Sequence, residues 1–123
     1  MQQLLLEESW EKAISQKDRT EIERAFREIH NGEGITFTPL WEAVNHKGEW
    51  LITVIINNFT RDPINFDGIH LSYVVNGKAA AGSTFYLPSL VVPGKASMPW
   101  TFIFPVGSFE QDSVLEKGSL SIS

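Results

Sequence analysis

Apolar residues recur along this chain with two different periods. Up to residue 30 they fall three and four apart: Leu6, Trp10, Ala13 and Ile14 make one stripe, and Ile22, Ala25, Phe26 and Ile29 a second. Such spacing places each set on one face of an α-helix. The stretch from Ser15 to Arg19 between them holds no apolar residue, so the pattern predicts two short helices over about 4–16 and 20–30, with one bent helix as the alternative. Thr20 and Glu23 have capping-box spacing, Asp18 is a rival cap, and Asn31-Gly32-Glu33-Gly34 supplies the stop.

Beyond residue 34 the period drops to two. Trp50, Ile52, Val54 and Ile56 alternate with Leu51, Thr53, Ile55 and Asn57. Ile69, Leu71, Tyr73 and Val75 alternate with His70, Ser72, Val74 and Asn76, and Trp100, Phe102 and Phe104 alternate with Thr101 and Ile103. In each strand the first-named set is the expected core face, so the core is predicted at Trp50, Ile52, Val54, Ile56, Leu71, Tyr73, Trp100, Phe102 and Phe104. Weaker strand patterns cover 35–40, 41–45, 78–87 and 118–122. Turn residues separate the strands, and Asn76-Gly77 has the form of a two-residue hairpin. The expected architecture is an immunoglobulin-like antiparallel β-sandwich of six or seven strands, residues 33–123, preceded by an N-terminal helical arm, residues 1–32. No βαβ alternation or internal repeat is visible.

The opposite strand faces are not uniformly polar. Leu51, Ile55, Val74 and Ile103 stand where an outer sheet face would meet water, which makes them a candidate interaction surface. Either the stripes carrying Trp10, Ile14, Phe26 and Ile29 cover that face, or another protein does. A homodimer is one form the second case can take.

Composition narrows the function classes. Ten basic against fifteen acidic residues give a net charge of −5, which disfavours nucleic-acid and anionic-lipid binding. There is no cysteine, hence no disulfide, thiolate metal site or cysteine nucleophile. No stretch approaches the roughly 18–20 apolar residues of a membrane span, and Leu4-Leu5-Leu6 lacks the basic flank and length of a signal peptide. A cytoplasmic location, with membrane association allowed, is the expectation. His30, His46 and His70 show no metal-site spacing, and no Gly-x-Ser-x-Gly or phosphate-cradling loop is present. Glu7 with Glu8, and Glu21 with Glu23, read as a solvated helical face. Asn58-Phe59-Thr60 matches a glycosylation sequon, and Trp41, Trp50 and Trp100 are candidates for a sugar-stacking surface, although Trp50 and Trp100 head core faces. No catalytic, cofactor or metal residues are predicted, and the chain is not expected to be an enzyme.

Three segments carry a family resemblance. They are Gly34-Ile35-Thr36-Phe37-Thr38-Pro39-Leu40-Trp41, then Trp50-Leu51-Ile52-Thr53-Val54-Ile55-Ile56-Asn57-Asn58, then Tyr86-Leu87-Pro88-Ser89-Leu90-Val91-Val92-Pro93-Gly94-Lys95 continuing to Pro99-Trp100-Thr101-Phe102-Ile103-Phe104-Pro105. Together they resemble the SLAP domain of bacilli and relatives, found in the S-layer assembly protein that accompanies an accessory Sec system. The resemblance implies a non-enzymatic module that assists protein secretion or surface-layer assembly through a protein partner, either secretion machinery or a surface-layer client. It brings no catalytic or cofactor residues. A surface or cell-wall adhesion module binding glycan is the alternative. Of the family-type residues, Pro88 and Pro93 bracket a loop, Gly94 suits a turn position with positive φ, and Pro99 and Pro105 bound a strand.

Overall fold

The structure, a computed structural model, describes residues 2–123. The elements in chain order are β1 (Gln3–Leu4), α1 (Glu8–Ala13), α2 (Gln16–Arg27), β2 (Ile35–Val44), β3 (Trp50–Asn58), β4 (Ile64–Val75), β5 (Lys78–Val92), β6 (Ala96–Phe104) and β7 (Ser119–Ile122). The strands form two sheets, one ordered β1-β6-β3-β2 and the other β5-β4-β7. Every pairing is antiparallel except that of β1 with β6, which is parallel. The chain is thus mainly β, a two-sheet sandwich of seven strands with a short helical region near its N-terminus.

Between the sheets lies an aromatic core. Phe66, Phe102 and Phe104 are fully hidden, and Phe85 packs edge-on against both Phe102 and Phe104 with ring centroids 5.2 and 5.1 Å apart. Phe37 meets Phe102 and Phe66 in the same edge-to-face manner. That arrangement sets ring edges against the electron-rich ring faces. Trp50 stacks on Phe109 at 4.1 Å and closes one end of the sandwich. Trp50, Ile52, Val54, Ile56, Leu71, Tyr73, Phe102 and Phe104 are all buried.

Trp100 differs from the expectation of burial. It faces inward and packs against the core, but it is only half-buried. β1 flanks β6 only at Ala96 and Ser97, so Trp100 stands on an open edge with one side toward water.

Local chemistry explains where the helices and strands begin. The first helix starts at Glu8 rather than near residue 4, because Leu4 is strand and Leu5 packs on the core in extended form. The break between helices lies at Ile14-Ser15, and the cap of α2 is Ser15, whose Oγ accepts the Asp18 N–H at 3.1 Å. Thr20, expected as a cap, instead donates its hydroxyl to the Gln16 carbonyl inside the helix. The patterns at 35–40 and 41–45 merge into one strand through a bulge between Pro39 and Trp41. The hairpin at Asn76-Gly77 forms with φ of 51° and 78°, as a two-residue turn of the primed type requires.

A clamp ties the two sheets at one end. The Asn58 side chain is wholly buried: its Nδ2 donates to the carbonyls of Asp62, Val92 and Pro93, and its Oδ1 accepts from the N–H and hydroxyl of Thr60. The sequon asparagine is therefore an internal brace, with no free amide in the folded chain. Gly94 serves the same junction by close approach. A Cβ there would lie 2.1 Å from the Arg61 carbonyl oxygen, whereas the positive φ of this turn falls on Lys95, at 58°.

The prolines blunt the edges of the larger sheet. The Leu5 N–H donates to the Ser97 carbonyl at 2.9 Å, so alternation turns the backbone groups of Pro99, Thr101 and Ile103 outward as well. The Phe59 N–H bonds the Gly34 carbonyl, which likewise turns Ile35, Phe37 and Pro39 outward on β2. Pro39 and Pro99 thus stand where an edge would otherwise offer an N–H to a foreign strand. Pro99 lies within β6 rather than at its boundary.

Candidate functional site

The outer face of the larger sheet is built from four rows across β2, β3 and β6. Register puts Thr36, Asn57 and Ser97 in the first row, and Thr38, Ile55 and Pro99 in the second. Trp41, Thr53 and Thr101 make the third, and Ala43, Leu51 and Ile103 the fourth. The helices lie over the first three. Ala25 and Ile29 of the α2 region border Thr36, Thr38 and Asn57, and Trp10 and Ile14 border Trp41 and Thr101. Ile22 of α2 retains 1 % exposure and Ile55 none.

The covered rows are largely polar, and internally satisfied. Asn57 donates to Thr38 Oγ1 at 2.9 Å and Thr36 Oγ1 at 3.2 Å, and accepts from Ser97 Oγ at 2.8 Å. Gln2 reaches in to donate to Ser97 Oγ and the Asn58 carbonyl. Thr53 and Thr101 share a 2.7 Å hydrogen bond. The fourth row is apolar throughout and lies past the corner between α1 and α2. There Ile103 is 48 % exposed, Ala43 is exposed and Leu51 is half-buried. The exposed side chains of Val44 and Val106 stand at the same end of the sandwich, Val106 against Gly48 in the β2–β3 turn.

This arrangement corrects the candidate surface. Ile55 is not available, because the helices bury it. Val74 belongs to another surface altogether: it sits on β4, on the outside of the three-stranded sheet, between Ala79 and Ser119. Leu51 and Ile103 remain together as neighbours in one row. Where the helical corner meets the third row, one row along from Leu51 and Ile103, runs an open groove of about 520 Å³, lined by Trp10, Ala13, Ile14, Asp18, Trp41 and Thr101 among others. Neither Trp10 with Trp41 nor Asp18 was foreseeable as a group from the sequence, because only the tertiary fold brings α1, the start of α2 and β2 together.

The other candidates disperse. Trp41 lies on the outer face while Trp50 and Trp100 face inward, so the three tryptophans make no common sugar platform. His30 and His46 are exposed in separate places. His70 Nδ1 is 2.6 Å from Ser123 Oγ, which is 2.9 Å from Ser72 Oγ, but among the described residues no Asp or Glu side chain joins that hydrogen-bonded group to orient the ring. Among the described residues no group of three or more His, Asp and Glu could hold a metal ion. Among the described residues two groups have displaced acidities. Burial, with Glu42 adding to it, raises the Tyr73 phenol, and hydrogen bonds from Ser9 lower the Glu7 carboxyl at the cap of α1.

A protein-family model for the SLAP domain matches residues 4–120. The chain belongs to the SLAP domain family. The match takes in the helices as well as the strands, a wider span than the three segments that first carried the resemblance. Comparison with curated proteins and with solved structures gave no match. No helix of this SLAP domain, among the described residues, is long and apolar enough to cross a membrane.

Proposed function

We propose that this SLAP domain is a non-enzymatic protein-interaction module serving protein secretion or surface-layer assembly. Its contact surface is the row of Ala43, Leu51 and Ile103. One observation carries the reading: the helices cover three rows in which six of nine positions are polar, and leave open the one row that is apolar throughout. A fold that minimised its own exposed apolar area would extend its cover over that row as well. Residues 1–32 act as a partial cover, residues 33–123 as the scaffold, and the partner is secretion machinery or a secreted client met in the cytoplasm or at the membrane surface. Pro39 and Pro99 each remove one edge donor of the larger sheet, which weighs toward side-chain docking on the row.

A photo-crosslinking amino acid placed at Ile103, and in a second variant at Ser72 on the opposite outer face, tests this in the native cell. Site-specific crosslinks from position 103 to a secretory component or secreted client, weakened by Leu51→Thr, are expected. Crosslinks that are the same from both positions, or unaffected by Leu51→Thr, would refute it. A crosslink only to a second copy would make the row a homodimer face instead.

A further inference from the structure

Taking the protein-interaction reading as its base, the groove beside the row tells what chemistry the partner segment has. Trp10 and Trp41 both line it and both are only half-buried, so their rings are not consumed by the core. Asp18 is the one charged residue in the lining. Its carboxylate has no hydrogen-bond or ion-pair partner among the described residues. The nearby cations do not line the groove: Lys12 pairs with Glu8 at 3.1 Å and Arg19 with Glu11 at 2.7 Å.

Two indole rings and an unpaired carboxylate in one groove form a receptor for a cation. Indole faces attract an ammonium or guanidinium through the ring quadrupole, and a carboxylate adds direct Coulomb attraction. The row of Ala43, Leu51 and Ile103 is the next along the sheet from Trp41 and Thr101, within reach of the residues that flank a side chain held in the groove. The net charge of −5 draws basic segments toward the domain as a whole.

We infer that the site takes a peptide segment in which a lysine or arginine adjoins apolar residues. The basic side chain enters between Trp10, Trp41 and Asp18, and the apolar neighbours lie on Leu51 and Ile103.

Fluorescence anisotropy with three short fluorescein-labelled peptides, identical except for Lys, norleucine or Glu at one position between Leu and Ile, tests the inference. The Lys peptide should bind about tenfold more tightly than the norleucine peptide, with the Glu peptide weaker still, and added salt should narrow the difference. Asp18→Asn should remove most of the Lys preference. Trp10→Ala should weaken the Lys peptide most; α1 has no fully buried residue, so this variant should stay folded with a small fall in melting midpoint, which a thermal melt checks. Leu51→Thr with Ile103→Thr should weaken the Lys and norleucine peptides alike. Equal binding of all three peptides would overturn the cation site while leaving the interaction reading standing. A Lys preference untouched by Asp18→Asn would overturn it too, as would failure of every peptide to bind. N-acetylglucosamine oligomers that quench tryptophan fluorescence, with the quenching lost in Trp10→Ala, would make the groove a glycan site and likewise defeat the inference.

Discussion

Phe102→Ala is the sharpest probe of how the two sheets are held together. Phe102 has no solvent exposure, and its ring meets those of Phe37, Phe66 and Phe85 with centroids 6.2, 5.7 and 5.2 Å away. Truncating a buried phenylalanine costs about 3–5 kcal/mol, and the upper part of that range applies where the neighbours are large and cannot collapse into the void. Three aromatic partners are lost at once, each worth about 0.5–1.5 kcal/mol beyond area burial. An expected loss of about 4–5 kcal/mol compares with about 5–15 kcal/mol for the whole stability of a domain. Urea denaturation followed by tryptophan fluorescence should therefore show a large fall in midpoint or an unfolded variant. Two controls share the strand. Trp100→Ala should cost less than Phe102→Ala, since the indole is only half-buried, and Ile103→Ala on the other face should cost under about 1 kcal/mol. A midpoint for Phe102→Ala no lower than that for Ile103→Ala would refute the assignment of the inner and outer faces of β6.

Gly94→Ala should destabilise the fold by several kcal/mol even though its φ is not positive, because the added Cβ would press on the Arg61 carbonyl; a thermal melt within about 1 kcal/mol of the parent would contradict the close approach. Asn58→Ala should cost upwards of about 3 kcal/mol by leaving the carbonyls of Asp62, Val92 and Pro93 and the Thr60 donors without their partner, and urea titration reads it directly. The Tyr73 phenol is raised in the fold above its ordinary value of 10.0, so its contribution is complete below that pH and is lost as pH climbs through the folded value. Tyr73→Phe should flatten the decline of stability above pH 10; an unchanged slope in alkaline denaturation would show that another group governs it.

Much of this fold is written in local patterns. Alternation along β4 and β6 separates the side chains that point inward from those that point outward, and the Asn76-Gly77 turn is dictated by two residues that tolerate positive φ. In β3 the same alternation says less, because Thr53, Ile55 and Asn57 on its outer face are as hidden as Ile52, Val54 and Ile56 on its inner one. Period two tells which residues share a side of a strand. It does not tell what covers that side, since the cover is a helix pair distant in sequence. For the same reason Leu51, Ile55, Val74 and Ile103 look equivalent along the chain. Strand order sends Val74 to the other sheet, and helix placement hides Ile55 and leaves Leu51 and Ile103 near the open end. The helix cap was missed because Ser15 competes with Asp18 and Thr20 within one turn, and the winner depends on where Ile14 turns extended. Trp10, Asp18 and Trp41 carry no shared local signal at all. Their meeting depends on the chain folding α1 and α2 back across β2, a consequence of long-range packing that short-range spacing does not encode.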